Sequence, residues 1–150
     1  MHRAFLGVGE IDQEGNVNVS RFGEHIPGSG GFVEMTQGIP RVVFCTVLGD
    51  RVERKFVRRV QDLTFNAEQA RRQGQSVRYI TEKGVFELGP NGLELIEIAP
   101  GVDPQSDLLS RTQCRFGIAA TLQRMPARCF AEGLMDLRGL WSERQEGIAR

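Results

Sequence analysis

The residues that invite chemistry are few. Gly28-Ser29-Gly30-Gly31 places three glycines in four positions, with Pro27 before them and Phe32 after them. A backbone without side chains lets a ligand approach closely, and successive N–H groups can cradle an anion or an oxyanion. No G-K-[ST] follows, so this is not a P-loop, and the glycine spacing does not fit the dinucleotide fingerprint. By composition alone, a tight turn fits this stretch as well as a ligand loop does. His2, His25 and the cysteines Cys45, Cys114 and Cys129 are scattered, without C-x-x-C or H-x-x-x-H spacing. No metal site is expected from them. Nor does a G-x-S-x-G elbow present a serine nucleophile. Cys45, inside an apolar run, reads as a small buried hydrophobe. Residues 51–72 hold seven cations (Arg51, Arg54, Lys55, Arg58, Arg59, Arg71 and Arg72) against three acids. Such a stretch can meet phosphates. A solvated charged face is the favoured reading, because the whole chain carries no net charge.

The elements that must position these residues follow from hydrophobic pattern and turn chemistry. Residues 4–11 read as a buried strand, residues 12–15 as a turn, and residues 16–20 as a second strand with Asn16, Asn18 and Ser20 on one face. Together they predict a hairpin with one wet or functional face. One or two helical turns are expected over residues 33–38. The run RVVFCTVL at 41–48 suits a strand covered on both sides, hence an α/β domain. Residues 77–88 read as a strand interrupted at Gly84, and Asn91-Gly92 between two apolar runs signals a hairpin. Asp103 followed by Pro104 predicts a capped helical segment to about Thr112. A last short strand is expected at 116–120, and residues 141–150 read as a flexible tail beyond a domain over 1–140.

The chain has 150 residues, of which 40% are hydrophobic and 25% charged, enough for one domain with a real core. Nineteen basic and nineteen acidic residues argue against a nucleic-acid or membrane-surface partner. No apolar run is long enough to cross a membrane, and three widely spaced cysteines fit a reducing cytoplasm.

Residues 4–23, AFLGVGEIDQEGNVNVSRFG, resemble the second half of class I coenzyme A-transferases, in particular the acetate/propionate and 3-oxoacid CoA-transferase group. Gly28-Ser29-Gly30-Gly31-Phe32 is similar to that family's G-x-G-G-F loop. Leu63-Thr64-Phe65, Tyr79-Ile80-Thr81-Glu82-Lys83, Val85-Phe86 and GLELIEIAPGVD at 92–103 follow in the family's order. The resemblance implies part of the C-terminal (β-like) domain of the CoA-transferase fold, an open, mainly parallel sheet with helices. It also implies transfer of CoA from an acyl-CoA to a short-chain carboxylic acid through a glutamyl-CoA thioester. No cofactor is bound permanently; the CoA thioester is a substrate. Gly28, Gly30 and Gly31 carry over as CoA- and substrate-binding residues, with Asn16 and Asn18 beside them. The family's nucleophilic glutamate belongs to a motif upstream of the Ala4 strand, where this sequence reads Met1-His2-Arg3. No catalytic residue is therefore expected here. The chain is expected to be inactive alone and to need a complementary chain or self-association. The alternative is a non-catalytic acyl-CoA-binding or assembly module derived from a truncated transferase. Compared with the family pattern, the link from Cys45 to Arg54 is short, and Gly84 replaces a larger residue at an expected cost in packing.

Overall fold

The computed structural model describes residues 2–135 and 137–139. The expected flexible tail at 141–150, and the domain boundary at 140, lie outside the described residues. Strands β1 (Ala4–Gly7), β4 (Arg41–Cys45), β6 (Ser76–Ile80), β7 (Gly84–Gly89), β8 (Gly92–Ile98) and β9 (Gly117–Arg124) form an open six-stranded sheet in that spatial order. β1, β4 and β6 run parallel, β6–β7–β8 is an antiparallel meander, and β9 lies parallel to β8. A smaller sheet holds β2 (Glu10–Asp12) between β3 (Val17–Asn18), antiparallel to it, and β5 (Phe56–Val57), parallel to it. Helices α1 (Phe32–Thr36), α2 (Val52–Lys55) and α3 (Ala67–Arg72) are short. The architecture is α/β, as expected.

The core lies between one face of the large sheet and the small sheet with its helices. Alternation along the strands sends Val42, Phe44, Val77, Tyr79 and Phe86 inward, where Ile11, Val17, Phe56, Phe65 and Ala67 meet them. Phe44 is the hub: its ring stacks on Phe32 at 5.7 Å and meets Phe65 edge-on at 5.0 Å and Tyr79 at 5.4 Å. Burying one such ring fully contributes roughly 1.5–3 kcal/mol.

Several sequence expectations change. Residues 4–11 are two strands in two sheets, because the chain turns at Val8-Gly9. A Cβ on Gly9 would stand 2.1 Å from the Phe22 ring, so only glycine admits that ring. The predicted hairpin is real but confined to β2 and β3, with Glu10 opposite Asn18 and Ile11 opposite Val17. Residues 77–88 form an antiparallel pair rather than one strand. Thr81 turns the chain by donating its hydroxyl to the Gly84 carbonyl at 2.8 Å and accepting from the Gly84 N–H at 3.0 Å. Gly84 costs no packing: a Cβ there would lie 2.8 Å from the Glu97 carbonyl. β4 is covered on both sides, as expected: Val42 and Phe44 on the core face and Val43 on the other are all buried, while Phe5, paired with Val43 from β1, is 62% exposed. Cys45 is exposed at the end of β4, and Cys114 is the buried thiol. The Asn91-Gly92 hairpin forms. So does the Asp103 cap, whose carboxylate accepts from Gln105 N and Ser106 N at the start of a π-helical turn (Pro104–Leu108). The last strand, β9, extends further than residues 116–120.

Candidate functional site

The glycine loop is built from both ends. Behind it, the antiparallel bridge between Phe22 and His25 turns the chain, and the Gly28 N–H donates to the Ser20 carbonyl at 3.3 Å. Gly28 and Gly30 take φ of 78° and 51°, a left-handed conformation that side-chain-bearing residues adopt at a cost. Ahead of it, Phe32 is buried against Phe44 and pins the start of α1. The carbonyls of Ser29 and Gly31 accept from Phe32 N and Met35 N, both at 3.0 Å. Among the described residues, no acceptor meets the N–H groups of Ser29, Gly30 or Gly31. Nothing lies within 4 Å of a Cβ built on Gly28, Gly30 or Gly31. The loop thus leaves three N–H donors without an acceptor among the described residues, while the Ser29 and Gly31 carbonyls are drawn back into the helix start.

Its position follows from α1. The Gln75 side chain donates to the Thr36 and Ile39 carbonyls, at 2.8 and 2.7 Å, so α1 ends beside the amino ends of β4 and β6. The start of α1, and the loop before it, therefore point toward the carboxyl ends of the parallel strands, the edge where open α/β sheets bind ligands.

Asn16 and Asn18 face inward rather than toward that space. Asn18 is fully buried, which corrects the expected wet face of its strand. Its amide donates to Glu10 Oε2 at 2.9 Å and to the Arg21 carbonyl at 2.6 Å, while its Oδ1 accepts from Ser20 N and Arg21 N. Asn16 donates to Asp12 Oδ2 at 3.2 Å, and its Oδ1 accepts from Ala67 N at 2.9 Å at the start of α3. Buried Asp12 completes this knot by accepting from the N–H groups of Glu14, Asn16 and Val60. The asparagines hold the segment from which the loop springs.

Sequence reasoning missed Glu82. Its carboxylate accepts from Leu48 N at 2.9 Å and Gly49 N at 2.7 Å, tying the link after β6 to the link after β4. Beside this tie lies a cleft of about 610 Å³, walled by Gly9, Glu10 and Phe22 on one side and by residues 47–51, Arg54 and Lys55 on the other. Its signal in the sequence was the density of basic residues after Asp50. Burial pushes the Cys114 thiol up to about 12, with Asp12 adding to the rise, so it stays protonated. Cys45, although exposed, is also raised from 9.0 by partial burial. Among the described residues, no group of three or more His, Cys, Asp or Glu could hold a metal ion, and no helix is long and apolar enough to cross a membrane.

No protein-family model matches the chain. Among curated proteins, it is 35% identical over 148 residues to acetate CoA-transferase YdiF of Escherichia coli K12, covering 87% of this chain and 28% of that protein. It is 33% identical to caffeate CoA-transferase of Acetobacterium woodii, covering 86% of this chain and 29% of that one. The crystal structure of the YdiF apoenzyme from E. coli O157:H7 superposes with a TM-score of 0.83 over 89% of this chain and 29% of that one. Over this span the chain resembles CoA-transferases in sequence and in fold. This CoA-transferase relative spans less than a third of the length of the curated proteins it matches. A more distant likeness is the decarboxylase AibA/AibB, 25% identical with a TM-score of 0.68, covering 95% of this chain and 55% of that one. The open α/β sheet is that of the CoA-transferase structures.

Proposed function

We propose that this chain is a CoA-transferase domain whose glycine loop forms one wall of a site completed by a segment bearing the nucleophilic glutamate. The observation that carries this reading is the loop, whose N–H groups at Ser29, Gly30 and Gly31 are without acceptors among the described residues, with open space on the side-chain side of Gly28, Gly30 and Gly31. The supplied glutamate attacks the thioester carbonyl of an acyl-CoA, forming a C–O bond and an oxyanion. Collapse expels the CoA thiolate and leaves a mixed anhydride. The thiolate then attacks the glutamyl carbonyl and releases the first acid as its carboxylate, giving the glutamyl-CoA thioester. A second short-chain carboxylate runs the sequence backward and leaves with CoA. Each oxyanion needs donors fixed in advance, which the loop N–H groups supply without a side chain to obstruct the acyl group. Gly28 and Gly30 shape the loop through their backbone, Gly31 and Gly30 donate, and Asn16 and Asn18 brace it from behind. Exposed Cys45 and Cys129 as free thiols fit a reducing cytoplasm.

The test is mass spectrometry of the chain after incubation with acetyl-CoA, followed by a transferase assay with a chain carrying the glutamate motif of acetate CoA-transferase. No adduct alone and activity on mixing is the expected result. A CoA thioester on a glutamate of this chain alone would overturn the shared site. Saturable acyl-CoA binding without complementation would favour a non-catalytic module, the reading suited to the uncovered Phe5 face.

A further inference from the structure

The large sheet has a second face. Helices α1, α2 and α3 pack on the core side, through Phe32, Val52 and Ala67. On the far side, strand register lines up Phe5, Val43 and Arg78 across β1, β4 and β6, with Gly7, Cys45 and Ile80 two residues further along. Phe5 stands out from its row, and nothing lies within 4 Å of a Cβ built on Gly7. A groove of about 450 Å³ results, lined by Phe5, Val43 and Ile80 together with Arg3, Arg41 and Arg78. Arg78 pairs with Glu87, whereas neither Arg3 nor Arg41 has a carboxylate at ion-pair distance among the described residues. The groove is apolar and positively charged.

The chain beyond β9 has the opposite charge. The Met125 N–H donates to the Ile98 carbonyl at 2.9 Å, and the backbone bonds that follow are local, as from Cys129 to Pro126 and from Phe130 to Ala127. Residues 130–137 read FAEGLMDL, with two acids and no base. Phe130, Met135 and Leu137 are exposed, and Leu134 is fully so. None of the core residues comes from this arm. Contiguous bare apolar side chains of this kind mark an interaction surface. The arm leaves the sheet at β9, four strand spacings, about 19 Å, from β4. An acidic apolar arm and a basic apolar groove thus stand bare on opposite sides of one chain, and each is the complement of the other.

We infer that the arm of one copy of this chain seats in the Phe5 groove of a second copy, which returns its own arm, giving a two-fold dimer. Reciprocal exchange covers eight large apolar arm side chains, four from each copy, and brings the contact toward a stable interface, which buries about 1,200–2,000 Å². The acidic charge of the arm meets the unpaired Arg3 and Arg41, which fixes its register in the groove. This surface is independent of the transferase reading and of the glycine loop.

Sedimentation equilibrium over a range of chain concentrations tests it. The wild-type chain should dimerise. The arm variant, Leu134→Asp with Leu137→Asp, and the groove variant, Phe5→Asp, should each weaken the dimer by about tenfold or more, and Arg41→Glu should weaken it as well. These positions are exposed, so each variant should fold with a urea midpoint near that of the wild type. Leu63→Asp, at an exposed leucine outside both surfaces, is the control and should leave the dimer intact. Mixing the arm variant with the groove variant rebuilds one intact seat and should restore association that neither shows alone. A monomeric wild type, a dimer untouched by the arm, groove or Arg41 variants, one weakened equally by Leu63→Asp, or a mixture no better than its parts would overturn the exchange. Lower urea midpoints in both variants without any dimer would place the arm on its own chain's groove and overturn it too.

Discussion

At the scale of single residues, the glycines differ in kind from one position to the next. Gly28 has φ of 78° with open space around it, so an alanine there meets only backbone strain, about 1–2 kcal/mol. Gly92 has φ of 111°, and a Cβ there would stand 2.4 Å from the Gln13 carbonyl, a backbone atom that cannot swing away. Gly92→Ala should therefore cost about 2–4 kcal/mol, strain and overpacking together, against the smaller loss for Gly28→Ala. Urea melts of the two variants check the order; equal losses would mean that the Gln13 approach relaxes freely. The glycine-rich loop itself was legible in the sequence because composition encodes it. The inward aim of Asn18 was not, because alternation names two faces without saying which one a second sheet will cover.

Among the elements, short helices depend on their ends. α3 has six residues, and its start is fixed by Asn66, whose side chain accepts from Gln69 N at 2.9 Å, and by Asn16, which accepts from Ala67 N. Asn66→Ala should cost about 1 kcal/mol, read as a lower urea midpoint, while Asn66→Asp should keep most of the cap. An alanine variant as stable as the wild type would show that Asn16 alone suffices. Elements with a local signature were foreseen: the Asn91-Gly92 hairpin, the Asp103-Pro104 cap and the turn at 12–15. Errors fell where a side-chain contact, near or distant in sequence, decides the outcome. The split of residues 4–11 is set by the Phe22 ring over Gly9, and the break between β6 and β7 by Thr81 bonding to Gly84. Neither contact leaves a trace in hydrophobic period. The cleft residues were noticed as charge, but the Glu82 tie that gathers them joins positions more than thirty apart.

Across the whole molecule, the two sheets are joined by Tyr79, whose hydroxyl, rooted in β6, donates to the Gly15 carbonyl at 2.5 Å in the turn between β2 and β3. Burial, reinforced by the charge of Asp12, raises its pKa from 10.0, and the Cys114 thiol is pushed up to about 12 for the same two reasons. The folded chain therefore keeps both protons at pH values where the unfolded chain releases them, beginning near 9.0 for Cys114. Stability must then fall as pH rises above about 9, approaching about 1.4 kcal/mol per pH unit for each fully unmatched proton. Urea midpoints measured across the alkaline range should show this decline. Cys114→Ala should move its onset toward the ionisation of tyrosine; an unchanged profile would mean that the thiol gains solvent before unfolding.

The sheet that unites these features also sets an order of assembly. Strands β6, β7 and β8 pair through turns of a few residues, whereas β1 finds β4 only after 37 intervening positions close, as Ala4 meets Val42. Chain closure costs more for the longer span, and nonlocal parallel pairs are gained late. In pulsed hydrogen exchange during refolding, the amides of Tyr79, Phe86 and Leu95 should be protected before those of β1. The glycine loop, strung between β3 and α1, would acquire its shape among the last parts of the chain, when the meander is already a template.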